Sequence, residues 1–440
     1  MLKRTIVCGL ALFILFLGNP LFAQDFEEDE EMEVGGRYPV NFSLYYPISL
    51  NKSKFDRVNF NLGVIYSRYG YLKGMDVSGL ASAVSEDVVG IQIAGLGAVA
   101  GSHMKGIQIA GLGAVAGENG RGIQISGLAS VAGSSFDGLQ ASALFCVVGE
   151  EGTVFQSSGL FSVIGSRGKG IQAGGLGCVA GESLTGVQIS GGFNVIGERG
   201  NAFQASGLFN VIGERGNAFQ AAGLMNVAGE GLKGIQAAGL LNVCGDVLEG
   251  VQIGTFNVAI ESRGLQIGVA NAGETSTGVQ IGVVNYTKEE NDGVPIGLVN
   301  LARNGRIRGV FWGGSAVAVN GGVKFSVNRF YSILSLGAVN FQDGITESII
   351  YGAHYGYAFP LDRLFIGLDA GYRFRDNATL FKSTTDNPDE HLCEVRLSLG
   401  IPLGERFTLL VGGGFFSVNH THDGRGFLPF KPMVLAGFEF

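Results

Sequence analysis

Between residues 74 and 300 the chain repeats one short arrangement of apolar and polar positions. In the copy Gly186–Gly197, GVQISGGFNVIG, Val187, Ile189, Phe193 and Val195 lie on one parity, while Gln188, Ser190 and Asn194 lie on the other. Alternation with period two predicts strands, and two to four glycines per copy argue against a helix. Aligned on its glutamine, the unit reads G-[IVF]-Q-[IA]-x-G-L-x-[NSA]-V-[AI]-G, followed by four variable polar residues. The glutamines stand 16 residues apart from Gln92 to Gln252, then 14 apart at Gln266 and Gln280. Phe193–Ala205 and Phe209–Ala221 are the same thirteen residues, FNVIGERGNAFQA. A fixed short period points to a repeat architecture.

Two all-β architectures fit the period. In one, each unit is a coil of a β-solenoid, with corners at the central Gly-Leu and at the polar tetrad. In the other, each unit is one antiparallel strand of a very large barrel. Three features favour the solenoid. The Gln-to-Asn spacing is six at Gln188/Asn194 but five at Gln266/Asn271; within one continuous strand that change would flip every later side chain, whereas a corner absorbs it. No Tyr or Trp lies between Tyr71 and Tyr286, so the units lack the aromatic girdles of membrane strands. Charge collects in the tetrads, as at Glu198-Arg199 and Glu214-Arg215. Each coil would then lean on near-copies above and below, with valines stacked in the core. Gln188, Asn194, Gln204, Asn210, Gln220, Asn226, Gln236 and Asn242 would form amide ladders and a possible binding face.

The two ends read differently. From about Gly309 aromatic residues return, in alternating segments near Phe330–Gly337, Ser348–Phe359, Leu364–Arg375, Cys393–Leu403, Phe407–Val418 and Met433–Phe440. Short turns (Pro360–Asp362, Gly404–Arg406) alternate with longer polar loops, the pattern of an outer-membrane barrel. The segments Val40–Tyr46 and Val58–Tyr69 have the same character and would complete about eight strands. A soluble β-sandwich with one polar face is the alternative. The expected organisation is a signal peptide (1–23), an acidic leader (24–36), N-terminal strands (37–73), the repeat array (74–307) and a barrel-like region (308–440).

The signal peptide is read from Lys3 and Arg4, the apolar run Thr5–Gly18 and a cleavage site near Ala23. Seven carboxylates follow within Asp25–Glu33. Without these segments the chain is near neutrality, and no basic patch suggests nucleic acid. Gly makes up 74 of the 440 residues, against a usual share of about 7%, yet no G-X-Y period indicates collagen. Cys146 and Cys178 share a repeat position two units apart, roughly 9–10 Å in stacked strands and beyond disulfide reach. With Cys244 and Cys393 they read as small apolar fillers.

Candidate chemistry is sparse. Gly111-Leu112-Gly113 opens no helix and so makes no phosphate loop. His420-Thr421-His422-Asp423 offers two His on one strand face but no third ligand. Asp76 replaces the first ladder glutamine, as in a capping coil. Glu182, Glu198, Glu214 and Glu230 form a row rather than a pair across a cleft. No catalytic, cofactor-binding or metal-ligating residues are assigned.

The units GVQIGTFN (250–257), GLQIGVAN (264–271), GVQIGVVN (278–285) and GVPIGLVN (293–300) resemble the surface-repeat family of Gram-negative bacteria. The opening Val40–Pro47 and the C-terminal VLAGFEF look similar to that group as well. The sixteen-residue copies depart from the family's tighter unit. The resemblance implies an exported, outer-membrane-associated protein, and the family has no settled activity; the first reading is a non-enzymatic surface or envelope protein that meets outer-membrane lipid and an unknown extracellular or envelope ligand. A porin-like transport barrel is the second reading, which lumen-facing charges would discriminate; Asp369, Arg373, Arg375, Glu394 and Arg396 are enough to fill a small barrel but not to show an open pore.

Overall fold

The computed structural model describes residues 35–338, 349–376, 390–404, 406–420 and 429–440. The expected signal peptide, nearly all of the acidic leader and the residues after His420 in the His-Thr-His-Asp cluster lie outside that set. All regular structure among the described residues is β-strand. The chain forms two compact units, the first ending at Gly245 and the second beginning at Asp246.

The first unit is a parallel β-solenoid. A typical coil has an eight-residue strand, Ser183–Ser190, a corner at Gly191-Gly192, and a four-residue strand, Phe193–Ile196. Each residue pairs in parallel with its equivalent sixteen positions on: Gln188 with Gln204, Val195 with Val211. Parallel pairing decides for the solenoid against the antiparallel giant barrel.

The faces are opposite to those expected. Gln188, Asn194, Gln204, Asn210, Gln220, Asn226, Gln236 and Asn242 are all fully buried. Val187, Phe193 and Val195 are only partly covered, and Ile189 points outward at 49% exposure. The supposed apolar core is thus the exterior of this part of the coil, and the amides cannot serve as a binding face. Coil-to-coil stacking makes the inversion physically tolerable, because every buried amide meets an identical amide at hydrogen-bonding distance.

The interior is divided. Behind the Gly-Leu corner it holds Gln, Asn and Ser, with Ala or Cys in the Asn position of earlier coils (Ala98, Ala114, Cys146, Cys178); behind the charged tetrads it holds Leu184, Ile196, Ile212 and Leu232, all buried. This second zone is packed by compensating volumes. A side chain at Gly120 would strike the Phe136 ring, and one at Gly200 would meet the Cδ1 atoms of Ile196 and Ile212. Large residues on one coil therefore occupy space left by glycine on the next. Gly186 has φ +145°, and a Cβ there would run into the Gly170 carbonyl, so only glycine fits that bend.

The N-terminal strands correct another expectation. Arg37–Tyr45 pairs in parallel with Arg57–Tyr69, which in turn pairs in parallel with Tyr71–Ser78 and Ala81–Val84. They begin the solenoid instead of closing the barrel. Asn41 and Asn61 point inward and Phe42, Leu62 and Val64 outward, the same inverted alternation as the repeats. That alternation is also what makes them look like barrel strands.

The second unit contains further coils, now offset by fourteen residues (Gln252 with Gln266, Asn257 with Asn271). It ends in a closed eight-stranded antiparallel barrel. Its strands are Arg306–Gly314, Val319–Val327, Phe330–Ala338, Ile349–Leu361, Leu364–Asp376, Glu390–Pro402, Thr408–His420 and Lys431–Glu439. All eight come from the C-terminal region; the first two were not foreseen as strands. The last strand closes on the first, with Phe438 opposite Phe311.

Candidate functional site

The most distinctive polar constructions are the amide ladders and the barrel interior. In the first unit each glutamine donates to the one before it, as Gln204 Nε2 to Gln188 Oε1 at 2.8 Å and Gln220 Nε2 to Gln204 Oε1 at 2.8 Å. The asparagines donate the other way: Asn194 Nδ2 to Asn210 Oδ1 at 2.9 Å, and Asn210 Nδ2 to Asn226 Oδ1 at 2.9 Å. Two parallel rows of amide dipoles thus run in opposite senses, which offsets their fields along the axis. The asparagine row starts at Asn194 because Cys178 stands opposite it in the preceding coil. The thiols of Cys146 and Cys178 donate to the Ser157 and Ile189 carbonyls, so these cysteines are weak donors at a ladder position rather than mere fillers. Cys146, Cys178 and Cys393 carry free thiols. Burial pushes the Cys146 thiol up to about 11 and that of Cys178 to about 12, which keeps both protonated and unreactive at neutral pH.

The glutamine ladder is terminated by design at both ends that the units contain. In the first unit Asp76 replaces glutamine and is fully buried. It accepts from Asn61 Nδ2 at 2.7 Å, Tyr69 OH at 2.6 Å and Ser78 Oγ at 2.8 Å, and also from Ser82 Oγ. A carboxylate only accepts, so it absorbs donors from the capping strands. Burial, and then the Asp76 charge, hold the Tyr69 phenol well above its ordinary range. In the second unit Pro295 stands opposite Gln280, and Asn291 Nδ2 donates to Gln280 Oε1 at 3.0 Å in place of a next glutamine. Barrel side chains cap the last coil there. Tyr355 OH donates to the Pro295 carbonyl at 2.9 Å, and Ser332 Oγ to the Leu298 carbonyl at 2.9 Å.

The barrel carries charge inside and apolar groups outside. Along Leu364–Asp376, Asp369 and Arg373 point inward and are buried, while Leu368 and Tyr372 are exposed; along Glu390–Pro402, Glu394 and Arg396 alternate with exposed Val395 and Leu397. Arg396 Nε lies 2.6 Å from Asp369 Oδ1, and Tyr331 OH donates to Asp369 Oδ2 at 2.8 Å. Arg373 Nε is 2.8 Å from Glu394 Oε1, a charge contact whose N–H is not aimed at the oxygen, and Arg373 also donates to Asn320 Oδ1 at 2.7 Å. His354 Nε2 sits 3.3 Å from Glu394 Oε2, its ring lying where any side chain at Gly371 would be. Both guanidinium groups face the Trp312 ring, at 5.4 and 5.0 Å. A second cluster joins Lys324 and Arg308 to Glu439 at 2.7 and 2.8 Å.

Four of the five charges singled out in the sequence therefore meet in the interior; the side chain of Arg375 is not among those described. Sequence reasoning missed Lys324, His354 and Glu439. Their signal was present as single polar residues among apolar neighbours of the opposite parity, as in FEF at the chain end. Beside this network lies a cavity of about 30 Å³, room for about one water molecule, and a cavity of about 1300 Å³ opens at the barrel end beside Arg308, Lys324 and Glu439. Among the described residues no three His, Cys, Asp or Glu are grouped to hold a metal.

Comparisons with family models, curated proteins and solved structures find no match for this chain. The surface-repeat resemblance rests on the motif residues alone.

Proposed function

We propose that this is a non-enzymatic exported envelope protein of the surface-repeat kind, anchored in an outer membrane by its C-terminal barrel. The observation that carries the reading is the barrel's polarity: a charged, hydrogen-bonded interior behind an exterior of Phe311, Leu336, Leu368, Val395 and Phe415. Closure leaves no strand edge with unpaired backbone groups, as a hydrocarbon medium demands. The same interior speaks against the porin-like alternative, because beyond the open barrel end the paired side chains of Asp369, Arg396, Arg373 and Glu394 block the path a conduit would need. The barrel is read as an anchor, and a structural or adhesive role falls to the outer surface of the solenoid. There the charged edge, with exposed inter-coil pairs such as Arg167–Glu151 and Arg215–Glu230, is the face available to an envelope or extracellular ligand.

The test is fractionation followed by reconstitution. The full-length protein should sediment with outer membranes, show heat-dependent migration on gels, and give no steady conductance in planar bilayers. Recovery as a soluble periplasmic protein would overturn the anchor, and a stable open channel would favour the porin-like reading.

A further inference from the structure

From Gly90 to Gly245 the first unit contains ten successive repeat cores of twelve residues, the first Gly90–Gly101 and the last Gly234–Gly245. None of the ten contains Asp, Glu, Lys or Arg. Every charge in that stretch lies in the four-residue segments between cores. The cores form two strands and the Gly-Leu corner joining them, and their outward side chains are apolar except for Ser157. Corner leucines make a row, interrupted by Gly192 and less exposed at Leu144 and Leu160; Leu176, Leu208 and Leu224 are half-exposed at 43, 45 and 50%. Beside them run Ile189 and the stacked rings of Phe203 and Phe219, 5.1 Å apart.

The coil is thus split in two. Around the tetrads it has charge outside and Leu184 and Ile196 inside, the arrangement suited to water. Around the corner it has leucine, isoleucine and phenylalanine outside and Gln188, Ser190 and Asn194 inside. That order is inverted for water and is the one seen in membrane barrels. The corner backbone is closed as well: Gly207, Leu208 and Phe209 N–H groups donate to the Gly191 and Gly192 carbonyls of the preceding coil at 3.2, 2.9 and 3.3 Å. Most soluble loops leave such donors to solvent; here none of the three needs it, which is the condition for entering hydrocarbon.

Size and shape select the occupant. Ten coils at about 4.8 Å, each presenting some eight strand residues at about 3.3 Å plus the corner, give a surface on the order of 1,500 Å². A stable protein partner covers about 800 Å² of one patch. This surface instead folds round a convex ridge, both flanks and the tip being uncharged. A second copy would cover one flank and leave the other wet; a fluid apolar medium covers all of it.

We propose that the Gly-Leu ridge of the first unit lies edge-on in lipid acyl chains, with the charged tetrads at the aqueous boundary. This extends the membrane reading of the barrel and rests on it for delivery to a bilayer. The test uses the full-length protein carrying Cys8→Ala and Cys393→Ala, since Cys146, Cys178 and Cys244 are buried. Single cysteines at Leu208→Cys and, as a second ridge site, Leu176→Cys carry an environment-sensitive fluorophore. Arg199→Cys reports the charged edge and Val395→Cys the barrel exterior. In phospholipid vesicles doped with doxyl-labelled lipid, both ridge labels should be quenched several-fold more than the Arg199 label, and to a similar degree as the Val395 label. Quenching at Val395 without quenching at either ridge site overturns the inference and leaves the barrel anchor standing. Ridge labels shielded from water but unquenched, with cross-links between copies, identify a second copy as the occupant and also overturn it. Failure at Val395 alone sinks the barrel reading and leaves the ridge in lipid.

Discussion

Replacing Gln204 by leucine probes the inverted interior directly. The side chain is fully buried, donates to Gln188 and accepts from Gln220, each at 2.8 Å. Leucine has a similar volume, so the packing loss is small and the hydrogen bonds dominate the cost. Gln188 Oε1 loses its ladder donor. Gln220 Nε2 keeps only a 3.4 Å contact with the Val227 carbonyl. A buried polar group left without its partner costs about 1–3 kcal/mol, so two of them cost about 2–4 kcal/mol once partial relaxation is allowed. A long repeat array does not unfold in one two-state step, which makes a local measurement preferable. Amide hydrogen exchange of the strands Ser183–Ser190, Arg199–Ser206 and Arg215–Ala222 should accelerate roughly 30- to 1,000-fold, one factor of ten per 1.4 kcal/mol. Distant coils should change much less.

The exposed tetrad residue Arg199 provides the control, because Arg199→Gln touches no ladder and should leave exchange nearly unchanged. Were the apolar parity the true core, Gln204→Leu would be neutral and Val195→Leu would overpack it. Unaltered exchange in Gln204→Leu, or equal acceleration in Arg199→Gln, would refute the buried ladder.

Three further outcomes follow from the same geometry. Phe136→Ala should destabilise the neighbouring coils by about 3–5 kcal/mol, seen as local exchange or protease cleavage near Asn119–Ser142, because Gly120 offers nothing to fill the space its ring leaves; a wild-type cleavage pattern would contradict the volume pairing. The Tyr69 phenol is raised in the fold, so its contribution is complete below about pH 10, the unfolded phenol's pKa, and is lost as pH climbs above that value toward the folded pKa. The N-terminal coils of wild type should therefore open in strong alkali, and Tyr69→Phe should blunt that pH dependence as followed by circular dichroism. Glu439→Gln leaves Lys324 and Arg308 facing a neutral amide; breaking a buried pair costs about 3–5 kcal/mol, so the barrel should lose its heat-resistant gel form at a clearly lower temperature.

Much of the fold could be read from residue spacing. The sixteen-residue period sets the register, since like stacks on like. The change from six to five residues between Gln and Asn marks a corner rather than a strand. The tetrads with their charges mark the wet edge. The direction of the faces could not be read from the alternation alone, because period two distinguishes two faces without saying which is inside. Assigning Val195 and Ile189 to the core applied the ordinary rule for a protein in water. The residues that argue otherwise are the glutamines. A Gln at the same place in eleven successive copies, from Gln92 to Gln252, has little reason to recur on a solvated face. It has a strong one inside, where each amide completes the next.

The same missing premise explains the N-terminal strands. Their inward Asn41 and Asn61 and outward Phe42 and Leu62 suggested barrel strands because inverted alternation is usually found there. In this chain the inversion belongs to both architectures, and topology, not polarity, separates them: parallel coils after one connection, antiparallel strands after the other. Charge then becomes the informative residue class. In the barrel it is buried in pairs, with Arg396 on Asp369 and Lys324 on Glu439, while in the coils from Gly90 to Gly245 it is confined to the tetrad edge. Either way the apolar exterior is kept free of it. On the proposed reading a single condition, an apolar medium outside and satisfied polar groups within, would account for the placement of charge in both parts, and that common cause is what the lipid-quenching experiment measures at Leu208 and Val395 together.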